Sequence, residues 1–117
     1  IIMSKTNIEY FNYTFKLFIK DIIKIKSDYK ETLEDYYKEL LEQENCNDDK
    51  YIKRFMRKIG EHKKLISEKS DELFANSILL LKNVDFHELW NSEGMTQEYK
   101  ETIWEYVQTL YVLGETI

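Results

Sequence analysis

The stretch "IEYFNYTFKLFIKDIIKI", residues 8–25, sets the reading of this chain. Ile8, Phe11, Phe15, Phe18, Ile22 and Ile25 recur three or four residues apart, and the series continues through Tyr29, Leu33, Tyr36 and Leu40. That spacing is one face of an α-helix. It predicts a first helix over residues 7–44, with a break near Ser27-Asp28 as the competing arrangement. One unbroken helix of that length would reach roughly 57 Å at about 1.5 Å per residue.

Outward from this seam, "NCNDD" at residues 45–49 is the clearest loop, because Asn and Asp side chains compete with helical hydrogen bonding and cap the helix that follows. Ile52, Phe55, Met56, Ile59, Ile66, Leu73, Phe74 and Leu80 then mark a second helix over 49–82. Gly60 and the polar run Ser67 to Ser70 are its points of bending or interruption. Asp85 with Glu88 three residues on resembles a capping box ahead of a short helix holding Phe86, Leu89 and Trp90. Gly94 ends that helix, Thr96 caps a last helix over 97–113, and Gly114 stands where a C-terminal glycine cap belongs.

Composition agrees with this reading. With no proline and three glycines, and with 43% hydrophobic against 33% charged residues, the chain has few helix breakers and enough apolar material for a core. At 117 residues it forms one domain, 1–117: an antiparallel hairpin at 7–82, its long seam resembling a coiled-coil arm, closed by a capping segment at 85–113. The fold class expected is all-α and four-helix bundle-like. A seam longer than the later helices can cover leaves an apolar stripe open, the physical motive for expecting a dimer.

Catalytic and metal constellations fail on spacing. A di-iron bundle needs Glu three residues before His, and Ile59 and Val84 stand there before His62 and His87. His87-Glu88 begins a zinc-protease pattern, but Asn91 occupies the second histidine's place. Cys46, His62 and His87 are too scattered for a zinc site. Isolated glycines build no phosphate loop. The expectation is therefore a non-enzymatic protein without cofactor or metal. A single cysteine points to a reducing compartment, and no window has the roughly 20 apolar residues that cross a bilayer. The start, Ile1-Ile2-Met3, leaves open whether Met3 is a native beginning or the chain a fragment.

Three surfaces carry functional alternatives. The basic run Lys53, Arg54, Arg57 and Lys58 could track a phosphate backbone. Against that, the acidic run Glu31, Glu34, Asp35, Glu39, Glu42 and Glu44 would lie beside it in a hairpin and pair with it, and the net charge of −5 opposes a general nucleic-acid binder. Lys16, Lys20 and Lys24 form a stripe that would suit an anionic membrane, or simply the solvated side of a core helix. Finally, Trp90, Trp104, Tyr106 and Tyr111 either close the bundle or protrude as anchors for a protein partner, since Trp and Tyr dominate binding hot spots.

The segment "VDFHELWNSEGMTQEYKETIWEYVQTLYVLG", residues 84–114, resembles a motif near the end of small helical proteins of nucleocytoplasmic large (giant) DNA viruses. The matching residues are Asp85, Phe86, Leu89, Trp90 and Asn91, then Ile103, Trp104, Tyr106, Gln108, Thr109, Leu110 and Tyr111. Val107 replaces a usual leucine, and Glu105 a usual lysine. The resemblance covers about the last quarter of the chain. It implies a viral protein of the host cytoplasm or the virion, and a structural or assembly component that binds a protein partner or itself. The abundance of Ile, Lys, Asn and Tyr agrees with an AT-rich genome.

Overall fold

A computed structural model of the chain describes residues 2–42 and 49–117, with side chains from residue 7 onward. The protein is all-α. Its helices are α1 (Ile2–Ile22), α2 (Lys30–Leu41), α3 (Lys50–Ile59), α4 (Lys63–Ser67), α5 (Phe86–Trp90) and α6 (Gln97–Glu115), with a 3-10 turn at Asp71–Phe74. Helix α1 is the centre of the packing: α6 lies along it most extensively, and α2 and α3 also pack on it. The loop expected at 45–49 and the last residues of the expected first helix lie, apart from Asp49, outside the described residues.

The first expected helix is two. After Ile22 the backbone tightens, with Lys24 and Ile25 donating to the carbonyls of Asp21 and Ile22 three residues back. The Ser27 hydroxyl then accepts from the Tyr29 N–H at 3.2 Å, a side-chain turn that competes with helical bonding. What favours the break over a straight rod is burial. Folding back brings Tyr36 of α2 edge-on to Phe15 at 6.2 Å, and leaves Ile25, Leu33 and Leu40 at most 1% exposed. A rod would have held those side chains in water, at about 1.5–3 kcal/mol each.

The second expected helix is also divided, at both of its weak points. α3 ends at Gly60, and in α4 the Ser67 hydroxyl turns back onto the carbonyls of Lys63 and Lys64. Lys69 follows with φ of 51°, while Ser70 N–H reaches Leu65 O at 2.9 Å and Lys69 N–H reaches Ile66 O at 3.2 Å. Those two bonds make a Schellman cap with a lysine in the position that favours glycine. Lys69→Gly should therefore stabilise the protein by a net ~0.5–1 kcal/mol, the relief of left-handed strain less the extra freedom of the unfolded chain. Chemical denaturation reads this as a raised midpoint at unchanged slope.

Because neither long helix forms, the lengthwise hairpin between them does not form either, and the pairing of acidic with basic run gives way to scattered contacts. Lys82 meets Glu39 at 3.8 Å, and Lys53 pairs with its own helix cap, Asp49, at 3.3 Å. Residues 75–85 carry the chain by an irregular path with Leu80, Leu81 and Val84 buried, turning tightly at Asn83, whose φ is 61°.

The C-terminal part follows expectation more closely. Thr96 Oγ1 accepts from Tyr99 N–H at 3.1 Å and starts α6. Gly114, however, does not end it: α6 runs to Glu115, and a Cβ at Gly114 would lie 2.4 Å from Met56 Sδ. That glycine serves the close approach of α3 to α6.

Candidate interaction surface

The terminal segment is a lock on the fold. Trp90, Trp104 and Tyr111 are only 5–6% exposed. Phe74 stacks beside Trp90 at 4.5 Å and Trp104 at 5.3 Å, and the two indoles meet edge to face at 6.0 Å. Three of the four rings weighed as partner anchors are therefore core. Such aromatic contacts add about 0.5–1.5 kcal/mol per pair beyond the area they bury. Phe18 of α1 joins this cluster to the rest through Phe86 at 6.0 Å and Tyr106 at 5.2 Å.

The polar residues of the same segment satisfy backbone. Asp85 Oδ1 accepts from the N–H groups of Ile78 (3.1 Å) and His87 (3.0 Å), and Oδ2 accepts from the Ser77 hydroxyl at 2.8 Å. Partial burial would by itself raise the Asp85 carboxyl. The hydrogen bonds from Ser77, Ile78 and His87, with the His87 ring nearby, outweigh it and hold the group below its ordinary value. The reciprocal half of the expected capping box is absent, because the Glu88 carboxylate instead accepts from the Tyr29 hydroxyl. Asn91 donates to His87 O at 2.8 Å, and Gln108 to Ile66 O at 3.0 Å. Tyr99 reaches Lys24 O at 3.4 Å, and Gly94 sits against the Lys26 backbone, where a Cβ would lie 2.2 Å from the carbonyl oxygen. The segment thus clasps the bend between α1 and α2.

The exposed aromatic residues lie elsewhere, on the outer side of α1 where it runs beside α6. Tyr10 and Tyr13 are 59% and 61% exposed. They line a groove of about 410 Å³ with Leu17 and with Thr102, Tyr106 and Thr109 of α6. Tyr106 is half-buried and donates to Asp21 Oδ2 at 2.5 Å. Burial and that carboxylate both raise the phenol well above its ordinary value, so it stays a protonated donor and its ring is fixed in the groove wall. Tyr10, Tyr13 and Leu17 recur at spacings of three and four on the face opposite Phe11, Phe15 and Phe18. This second stripe was present in the sequence but hidden by the stronger one and by the interleaved lysines.

The remaining candidates are dispersed. In α3, Lys53 and Arg57 are exposed on the outer side, while Arg54 and Lys58 are half-buried. Lys58 borders a wider depression of about 760 Å³ with His62, Leu65 and Glu72. His87 Nδ1 is bonded to Phe74 O at 2.8 Å, which makes it a structural pin. Among the described residues no three His, Cys, Asp or Glu side chains gather as metal ligands would, and no helix is long and apolar enough to cross a membrane. Comparison with protein families, with characterised proteins and with solved structures gave no match for this chain.

Proposed function

We propose that this protein is a non-enzymatic structural or interaction component that binds protein through the outer face of α1 and α6. The observation that carries this reading is the placement of Tyr10 and Tyr13. They stand more than half exposed beside Leu17 and an anchored Tyr106, on two helices that are themselves rigidly packed in the core. Tyrosine offers a large amphipathic contact area at low conformational cost, and it is enriched where protein interfaces concentrate their binding energy. The resemblance of residues 84–114 to proteins of giant DNA viruses supports a viral origin, and with it a virion or assembly role in the host cytoplasm.

The test is affinity purification of the tagged chain from its native source, with and without nuclease, alongside the Tyr10→Ser, Tyr13→Ser double variant. The expected result is a protein partner, or additional copies of the chain, that survives nuclease and is reduced at least tenfold by the double variant. A partner indifferent to the two tyrosines would overturn the assignment of the face. Partners that vanish with nuclease would move Lys53 and Arg57 of α3 to the front and favour nucleic-acid association.

A further inference from the structure

We infer that the occupant of the α1–α6 face is a second copy of this chain. The copy would dock about a two-fold axis parallel to the helices, so that each protomer's α1 lies against its partner's α6. The inference rests on reading that face as the interaction surface, and adds to it the identity of the partner and the geometry of docking.

Charge placement points to this arrangement. On the α1 side of the face, Lys20 of the helix and Lys24 of the turn that follows it are exposed four residues apart, Lys24 also reaching Asp21 at 3.4 Å. On the α6 side Glu98, Glu101 and Glu105 are all exposed, three and four residues apart. At the levels of Lys20 and Lys24 the face is thus basic along one edge and acidic along the other, with Tyr10, Tyr13 and Leu17 beside them and the exposed Glu9 at the far end of the α1 edge.

The register between the two helices is fixed by hydrogen bonds near both ends. Asn7 Nδ2 donates to Thr116 Oγ1 at 3.2 Å, and Tyr99 hydroxyl to Lys24 O at 3.4 Å, so α1 and α6 run antiparallel with Asn7 level with Thr116 and Lys24 level with Tyr99. Lys20 is then level with the interval between Glu101 and Glu105, and Lys24 with Glu98.

Symmetry converts this register into complementarity. A half-turn about an axis parallel to the helices keeps every residue at its level and exchanges the two edges. Lys20 then comes opposite the partner's Glu101 and the partner's Glu105, and Lys24 opposite the partner's Glu98, each contact occurring twice as an isologous interface requires. A two-fold axis across the helices would instead lay α1 on α1 and α6 on α6, basic edge against basic edge and acidic against acidic. That juxtaposition is repelled. Exposed ion pairs add little affinity of their own, so the charges select the orientation while the tyrosines and Leu17 supply the burial. The size is adequate: α1 is about 31 Å long at ~1.5 Å per residue, and two helices of roughly 10 Å diameter give about 600 Å² in projection. That approaches the ~800 Å² per partner of a standard interface.

The experiment is sedimentation velocity on the purified chain over a wide concentration range, with two charge variants. Lys20→Glu with Lys24→Glu makes both edges acidic, and Glu98→Lys with Glu101→Lys and Glu105→Lys makes both basic, all at exposed positions. The wild type should sediment as a concentration-dependent dimer. Each variant alone should be at least tenfold weaker in self-association, with unchanged helical circular dichroism. An equimolar mixture should recover the dimer, because both contacts of the mixed pair then join opposite charges. The five-fold exchange in a single chain should recover it too, and gives the same readout should one variant fold poorly. A monomeric wild type overturns the inference while leaving the tyrosine-dependent capture to stand or fall separately. A wild-type dimer that the charge reversals leave intact, or that mixing fails to restore, also overturns it.

Discussion

Trp104→Ala is expected to cost about 3–5 kcal/mol, the range for removing a large buried aromatic side chain. The indole is 5% exposed, stands 5.3 Å from Phe74 and meets Trp90 edge to face. Trp104 belongs to α6, and its ring neighbours come from two other parts of the chain, α5 and the 3-10 turn Asp71–Phe74. Closing the void would need all three to shift together, so little of the loss can be recovered by relaxation. Against a typical total of about 5–15 kcal/mol, this removes a large share of the stability. Thermal unfolding followed by circular dichroism should show a fall in Tm of more than ~10 °C. A change of less than ~1 kcal/mol would place this ring on the surface and return it to the list of partner anchors.

The second large effect belongs to Asp85. Its carboxylate caps α5 and holds Ser77 and Ile78 of the irregular segment. Asp85→Ala should cost about 2–3 kcal/mol, from a lost cap at ~1–2 kcal/mol together with acceptors withdrawn from a partly buried N–H. The sign of the pH dependence follows from the lowered value of this carboxyl in the fold. The folded state favours the charged form, so the stabilisation is complete above the ordinary value of 3.8 and is lost as pH falls below it through the folded value. Denaturant titrations at stepped pH should therefore show a shallower acid loss for the Asp85→Ala protein than for the wild type. Parallel acid limbs in the two proteins would remove Asp85 from that role.

Much of this architecture is legible in the residues themselves. The periodic residues Phe11, Phe15, Phe18 and Ile22 of α1 are buried, and Thr96 caps α6 at the expected place. The lengths of the first two helices were not legible, because periodicity continues across a bend when both halves bury the same kind of face. Tyr29, Leu33 and Tyr36 keep the spacing of α1 although the first caps and the other two lie in a different helix. The signals at Ser27, Gly60 and Ser67 were visible beside the unbroken periodicity, and tertiary packing turned all three into breaks. Gly114 shows the converse: a glycine near a chain's end reads as a cap, yet here it is the space that Met56 fills.

The candidate surface was less legible than the core. Aromatic density in the last thirty residues marks Trp90, Trp104 and Tyr111 either as closing the bundle or as anchors, and the core absorbs all three. The exposed pair Tyr10 and Tyr13 lies instead within the first periodic stretch, where Phe11 and Phe15 dominate the pattern. A sequence marks that aromatic residues occur at helical spacing. Which of two opposite faces turns outward depends on the partners that α2, α3 and α6 provide.

The terminal tryptophans lock the fold, and under the proposed function this leaves the outer face of α1 and α6 as the surface offered to a partner. The most direct measurement is intrinsic tryptophan fluorescence of the purified chain with acrylamide quenching, since Trp90 and Trp104 are its only two indoles. The expected result is blue-shifted emission that acrylamide barely quenches until denaturant is added. Emission like that of indole in water, quenched freely in the native protein, would contradict it.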